Sequence, residues 1–403
     1  MLTMSLKRLC HIGLPLAVAL ACLILSGCAP LPRSNAVPAD LEDLATIPGM
    51  TGSRYWGDGD SAALALAGRE SLARQQAYLA ASGHQGASPS ADFLAISGGG
   101  EDGAFGAGLL VGWTAAGTRP TFMGVSGIST GALTAPFAFL GSAYDTKLRD
   151  IYTTISRRDV LRQNGLLEAF LFNDSLADNE PLRRTIAKYV DQSMLDAIAT
   201  EYRKGRFLLI GTADLDARRP VIWDIGKIAS SGRPEALYLV RKILVASTAI
   251  PGVFPPTMID VEVDGTHYQE MHADGGATTQ VFLYPPSLNV RTLGIARERR
   301  LYVIRNARLY PDWVQVNRAI LSIASRAISS LIQTQGMGDL NRIYFTAQRD
   351  GFDFYLAYIP KSFTRQLKEP FETAYMQELF QLGYDLAVKG YPWAKAPPGF
   401  GSP

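Results

Sequence analysis

Ser129 lies in Gly127-Ile128-Ser129-Thr130-Gly131, about thirty residues after the run Gly98-Gly99-Gly100-Glu101-Asp102-Gly103. Glycines flank a serine in this way where a strand turns sharply into a helix and leaves no room for neighbouring Cβ atoms. A serine on such an elbow is a nucleophile. The earlier glycine run suits an oxyanion hole, because backbone N–H groups at Gly98, Gly99 and Gly100 can come close to a developing negative charge.

The flanking sequence supplies the elements that must position these groups. Phe93–Ile96 is a short apolar run ending at the first glycines, and Ala104–Trp113 is small and apolar, suited to a buried helix. Thr121–Val125 precedes the elbow, and the apolar segment Ala132–Leu140 follows it. Two strand–turn–helix units in succession place both glycine turns at the carboxyl ends of strands, where open α/β sheets bind their ligands. Gly98–Gly103 also fits a dinucleotide loop, but that reading wants an acid about twenty residues on. Residues 117–126 contain none.

A serine nucleophile needs a proton acceptor. Of the four histidines, His11 belongs to the leader, His84 to a polar loop and His267 to a hairpin. His272 precedes Asp274 by two residues, so on a strand both side chains share a face and both can approach one site. Asp274-Gly275-Gly276 follows the strand-like Tyr268–Ala273.

In order along the chain, Gly98–Gly103, Gly127–Gly131 and Asp274–Gly276 resemble the three motifs of the patatin-like phospholipases. Ala246–Pro256 is similar to the segment that family carries before its aspartate. The resemblance spans about residues 92–276. It implies a three-layer α/β/α sandwich with a mostly parallel central sheet. It also implies a Ser129–Asp274 dyad without histidine, acting on lipid acyl esters with neither cofactor nor metal. Gly103, Gly127, Gly131, Gly275 and Gly276 are then motif glycines. One position departs from the pattern: Asp102 stands where the family has Arg or Lys, and a carboxylate there would repel an anionic headgroup. Two other readings stay open, a Ser-His-Asp esterase using His272 and a lipid-binding lipoprotein without turnover.

The N-terminus reads as an export signal, with Lys7 and Arg8 before the apolar Ile12–Leu25. Leu25-Ser26-Gly27-Cys28 reads as a lipobox, so residues 1–27 are expected to be removed and Cys28 lipidated. Ala29 in place of an aspartate points to the periplasmic face of a bacterial outer membrane. The three cysteines, Cys10, Cys22 and Cys28, all lie at or before that site, so the body can form no disulfide. The chain has 39 Lys+Arg and 37 Asp+Glu, and removing Lys7 and Arg8 leaves 37 of each. A neutral body with no basic stripe argues against a nucleic-acid partner. The expected partners are a lipid or acyl-ester substrate and the membrane. Oligomeric state is not legible.

Residues 28–60, rich in Pro, Gly, Ser and Asp, read as a flexible tether, and 61–403 as the hydrolase domain with a helical C-terminal extension. Within it, helices are expected over 61–81, from Ser175 with Pro181 in the first turn, over 237–248, 313–334 and 371–389. Strands are expected at 207–212, 220–224, 301–304 and 352–359, and a hairpin about Asp264-Gly265. The apolar stretches 166–172 and 320–332 suit either the core or an acyl pocket.

Overall fold

The computed structural model describes residues 31–59, 61–86, 88–163, 175–293 and 297–400. Eleven strands are present among them: β1 (Arg54–Trp56), β2 (Ala91–Ile96), β3 (Phe122–Ile128), β4 (Arg162–Gln163), β5 (Ala177–Asp178), β6 (Phe207–Asp214), β7 (Arg219–Asp224), β8 (Thr257–Val263), β9 (Thr266–Asp274), β10 (Arg299–Arg305) and β11 (Asp353–Tyr358). Nine form one sheet in the order β1-β7-β6-β3-β2-β10-β11, with β9 also paired to β6 and β8 to β9. Five consecutive strands, β6-β3-β2-β10-β11, are parallel, and the strands added beside β6 are antiparallel.

Helices cover both faces, which is why β2 and β3 are buried along their whole length. Leu94, Ile96, Tyr302 and Ile304 face a core shared with the helices Gly103–Ala115, Thr130–Leu140 and Thr373–Val388. Phe93, Ala95, Leu301 and Val303 face the opposite way, against Leu340, Ile343 and Ala347 of the helix Ile320–Asp350. This is the expected three-layer α/β/α sandwich.

Most expected elements form, and the differences have physical causes. Ala177–Asp178 pairs with β4 instead of opening a helix, which starts at Glu180 with Pro181 in its first turn. The helix expected over 313–334 runs from Ile320 to Asp350. Gly336 and Gly338 do not break it, because Gly336 lies against the Arg305 side chain and the last four turns pack on the sheet.

Residues 31–59, expected as a tether, are docked on the body. Arg33 makes a two-pronged pair with Asp216, Asn35 accepts the Gln269 amide, and Thr46 bridges Glu262. Ala45, Ile47 and Met50 enter the main core, and β1 extends the sheet. Composition misled here because a few apolar side chains suffice to anchor a polar segment. The C-terminal part is likewise no appendage. The helix Thr373–Val388 lies so close to the helix Gly103–Ala115 that a Cβ on Gly108 would strike the Phe380 carbonyl. The leader, Cys28 and residues 166–172 lie outside the described residues.

Candidate active site

Two adjacent strands, β2 and β3, deliver the two glycine turns side by side, with Ile96 level with Gly127. The third part arrives along β6. Strand β3 occupies one edge of β6 as far as Ile128 opposite Gly211, and β9 takes over that edge from Asp274 opposite Thr212. The last residue of β3 and the last residue of β9 therefore meet end to end. That junction brings Ser129 to Asp274 across 145 residues of chain, and the Ser129 hydroxyl donates to Asp274 Oδ2 at 2.6 Å.

Ser129 sits at φ 55°, ψ −126°, a strained backbone for a non-glycine residue and the geometry of a nucleophile elbow. The helix Thr130–Leu140 starts directly after it. A Cβ on Gly131 would run into the carbonyl oxygens of Ile96 and Ser97, so only glycine lets the elbow lie against β2. Gly127 closes against Gly131 in the same way, and Gly103 against Thr130. The Ser129 amide donates to Ser247 Oγ at 3.0 Å, and the Ser247 hydroxyl donates to the Gly211 carbonyl at 2.7 Å.

Asp274 is buried, and burial pushes its carboxyl up to about 6, against the opposing pull of the Ser129 hydroxyl and the Gly276 amide. That amide donates to Asp274 Oδ1 at 2.7 Å, which orients the carboxylate and leaves Oδ2 for Ser129. Gly275 packs on the Gly211 carbonyl. A carboxylate lifted toward neutrality is a better base than an exposed one.

The glycine loop divides by function. The Gly98 N–H donates to the Gln280 carbonyl at 3.1 Å, so Gly98 is committed to the scaffold and not to an oxyanion. Gly99 and Gly100 keep amides without a partner among the described residues. Gly100 adopts φ 57°, which glycine alone takes without strain. Asn306 braces the loop from β10, bonding Ser97 and the Gly106 amide.

Asp102 is tied to the scaffold and is not among the residues that line the cleft. Burial raises its carboxyl, and the Tyr375 hydroxyl, donating at 2.6 Å, opposes that rise together with Arg308 and Arg305 nearby. The carboxylate that lines the cleft beside Ser129 is Glu101, raised by burial to about 6. The cleft, counted together with the open space at its entrance, takes in about 850 Å³. Its walls are apolar, including Leu133, Phe137, Ile151, Leu182, Leu244 and Phe254.

His272 is no partner of Ser129. Its Nδ1 is 2.9 Å from Thr212 Oγ1, its Nε2 is 3.1 Å from Glu270 Oε2, and its ring lies against Trp223. Both nitrogens are committed, so the triad reading is corrected: sharing a strand face with Asp274 did not bring the imidazole to the nucleophile. His272 instead belongs to a buried cluster with Asp214 and Glu270, whose ligand-type atoms lie within 4.8 Å of one another. No metal cluster was expected from the sequence, and this one has suitable donor types. Its atoms are already engaged, however: Glu270 by Arg54 and His272, and Asp214 by the amides of residues 216 and 217. The bonds from His272 and Arg54 outweigh burial and hold the Glu270 carboxyl low.

Ser247, Gln280, Asn306 and Glu101 were not singled out from sequence. Two of them had a signal: Ser247 lies in the Ala246–Pro256 segment and Glu101 in the Gly98–Gly103 run.

Residues 94–284 match the family model of patatin-like phospholipases. The chain carries a patatin domain. That family consists of lipid acyl hydrolases, and the three motifs with their intervening strands fall inside the match. The sheet does not: β10 and β11 lie beyond it, so the patatin domain here is completed by C-terminal chain. Among solved structures, VipD from Legionella pneumophila aligns at 12% identity over 74% of this chain and 66% of its own, with a TM-score of 0.37. ExoU of Pseudomonas aeruginosa, solved with SpcU, aligns at 13% identity over 75% of this chain and 52% of its own, with a TM-score of 0.28. No curated protein matches the sequence.

Proposed function

We propose that the protein hydrolyses acyl esters of lipids through an acyl-enzyme on Ser129, with Asp274 as general base. The observation that carries the reading is the 2.6 Å bond between Ser129 Oγ and the raised, buried Asp274 carboxylate beside an apolar cleft. An acyl chain occupies the cleft and sets its carbonyl over Ser129. Asp274 Oδ2 takes the hydroxyl proton as Oγ attacks, and the amides of Gly99 and Gly100 receive the oxyanion. The protonated Asp274 then gives its proton to the departing alcohol. Water, activated by the same carboxylate, releases the fatty acid and restores the hydroxyl.

Glu101 at the mouth disfavours an anionic headgroup next to the scissile ester, so neutral acyl-glycerols or zwitterionic phospholipids are the favoured substrates. The mature protein is held at the periplasmic face of an outer membrane by lipid on Cys28. The test is a fluorophosphonate probe with peptide mapping, run beside a product profile on membrane lipid extracts. Adduct formation at Ser129 with fatty-acid release supports the reading. Lipid binding without adduct or product would make this a lipid-binding lipoprotein.

A further inference from the structure

The helix Ile320–Asp350 is far longer than the strand it follows. Its 31 residues span about 46 Å, whereas the seven residues of β10 span about 23 Å. It runs from the carboxyl end of the parallel strands back to the start of β11, and its later turns pack on the sheet through Leu340, Ile343 and Ala347. Gln335 bonds Gln280 and Gln333 bonds the Arg308 carbonyl, which fixes residues 333–335 level with the strand ends. The preceding 13 residues therefore project about 20 Å beyond the sheet, at the end that holds Ser129.

This projection is patterned. Ile320, Ile323, Ala324, Ala327, Ile328, Leu331 and Ile332 recur at three- and four-residue spacing, with Ser322, Ser325, Arg326, Ser329, Ser330 and Gln333 between them. At 100° per residue the apolar stripe lies on the side opposite Leu340, Ile343 and Ala347, so it faces away from the body. The exposures agree: Ile320 is 86% exposed, Leu331 69%, and Trp313 in the loop before the helix 87%. A stripe of this size exposed to water marks an interaction surface.

Three observations identify its occupant. From Trp313 to Gly338 the chain has Arg318 and Arg326 and no acidic residue; Arg326 is engaged by Asp312, so Arg318 is the charge offered to a lipid headgroup layer. No helix among the described residues is long and apolar enough to cross a membrane, and this one alternates an apolar with a polar face, the pattern of a helix that lies in an interface. The chain also enters the body at this end, because Arg33, five positions after Cys28, docks on Asp216 just past β6.

We propose that the projecting turns of the helix Ile320–Asp350, with Trp313, form a bilayer-docking face at the end of the sheet that holds Ser129. This deepens the hydrolase reading by naming how a membrane ester reaches the site, and in that respect rests on it.

The test uses the full chain with Cys10, Cys22 and Cys28 changed to Ser, so that a single added cysteine carries an environment-sensitive fluorophore. One form has Leu331→Cys, and the other has Ser82→Cys, at the opposite end of the sheet. Vesicles of phosphatidylethanolamine and phosphatidylglycerol should shift the Leu331→Cys label to the blue with a severalfold rise in emission and leave the Ser82→Cys label unchanged. An unmoved Leu331→Cys label, or equal shifts at both positions, overturns the proposal. A blue shift without vesicles that grows with protein concentration also overturns it, in favour of a second copy of the chain. Ile320→Glu with Leu331→Glu should cut hydrolysis of vesicle lipid at least tenfold and spare a soluble short-chain ester; equal losses on both would overturn docking. If the parent is inert on both esters but the vesicle shift is present, docking stands and the hydrolase reading falls.

Discussion

Ser247 holds Ser129 by the backbone: its Oγ accepts the Ser129 amide at 3.0 Å while donating to Gly211 at 2.7 Å. The nucleophile's strained φ of 55° persists because this hydroxyl, fixed to β6, occupies the amide that a relaxed turn would point elsewhere. Ser247 touches no reacting atom and is a positioning residue. We expect Ser247→Ala to lower kcat on a soluble ester about 10- to 100-fold with KM little changed. Ser247→Thr should restore part of the rate. A proportional rise in KM instead would point to a role in binding.

Ser129→Ala should remove turnover, by on the order of a thousandfold or more, with the fold intact. Asp274→Asn should lose nearly as much, because the amide keeps the shape of the carboxylate but cannot accept the proton. Thermal melts with initial rates on a soluble ester separate loss of chemistry from loss of structure.

The Asp274 carboxyl lies at about 6, above its ordinary value, so kcat/KM should fall as pH drops below about 6. For stability the sign is the reverse. A raised folded pKa contributes stability that is complete below the unfolded value near 4 and lost as pH rises through about 6. Asp274→Asn should therefore be at least as stable as the parent at pH 8, by on the order of 2 kcal/mol, with the gap closing toward pH 4. Denaturant melts at the two pH values check this.

Glu101 also titrates near 6, and substitution tells the two apart. Glu101→Gln should leave the acid limb of the rate profile in place. It should raise activity on phosphatidylglycerol relative to diacylglycerol, since the charge facing the cleft is gone. Loss of the acid limb would transfer the base role to Glu101.

His272→Ala should retain the chemistry and its pH profile but destabilise the fold by about 2–4 kcal/mol, because Thr212 and Glu270 lose a buried partner. Prolonged chelation should leave the rate unchanged. A chelator-sensitive protein rescued by one divalent metal would show that Asp214, Glu270 and His272 hold an ion.

Cys28→Ser combined with Ile320→Glu and Leu331→Glu, which remove the docking face, should free the protein from membranes in cell fractionation. Only four residues lie between position 28 and Arg33, a reach of at most about 18 Å over five Cα steps, so an anchor there keeps the body at the surface. Persistence in the membrane pellet after a salt wash would exclude the lipid anchor.

The parallel strands and the serine elbow were legible because each follows from local sequence: an apolar run, a glycine turn, an apolar helix; Asp274 was singled out by the resemblance to the patatin-like motifs. What sequence could not disclose depends on nonlocal geometry. The commitment of Gly98 to Gln280, and of His272 to Thr212 and Glu270, requires knowing which strands lie side by side. Residues 31–59 looked like a tether because composition cannot show that Ala45, Ile47 and Met50 have a core to enter. The stretch 320–332 was apolar enough to read as core or pocket, and only the mismatch between helix and strand lengths puts it outside.

The position of β10 bears on how the chain can be made and cut. Strand β2 is central, and its second neighbour is contributed by Arg299–Ile304, some two hundred residues later. A fragment ending where the family match ends, at residue 284, would leave Ala91–Ile96 with one bare edge and the glycine face of the helix Gly103–Ala115 uncovered. Such a fragment is a candidate for aggregation, not a minimal enzyme. During synthesis the nucleophile emerges well before its base and before β10, the strand that closes the sheet, so the catalytic machinery cannot assemble until most of the polypeptide has been made. Delayed closure of this kind predicts slow folding through long-range pairing and would keep a lipid hydrolase silent until the chain is nearly complete.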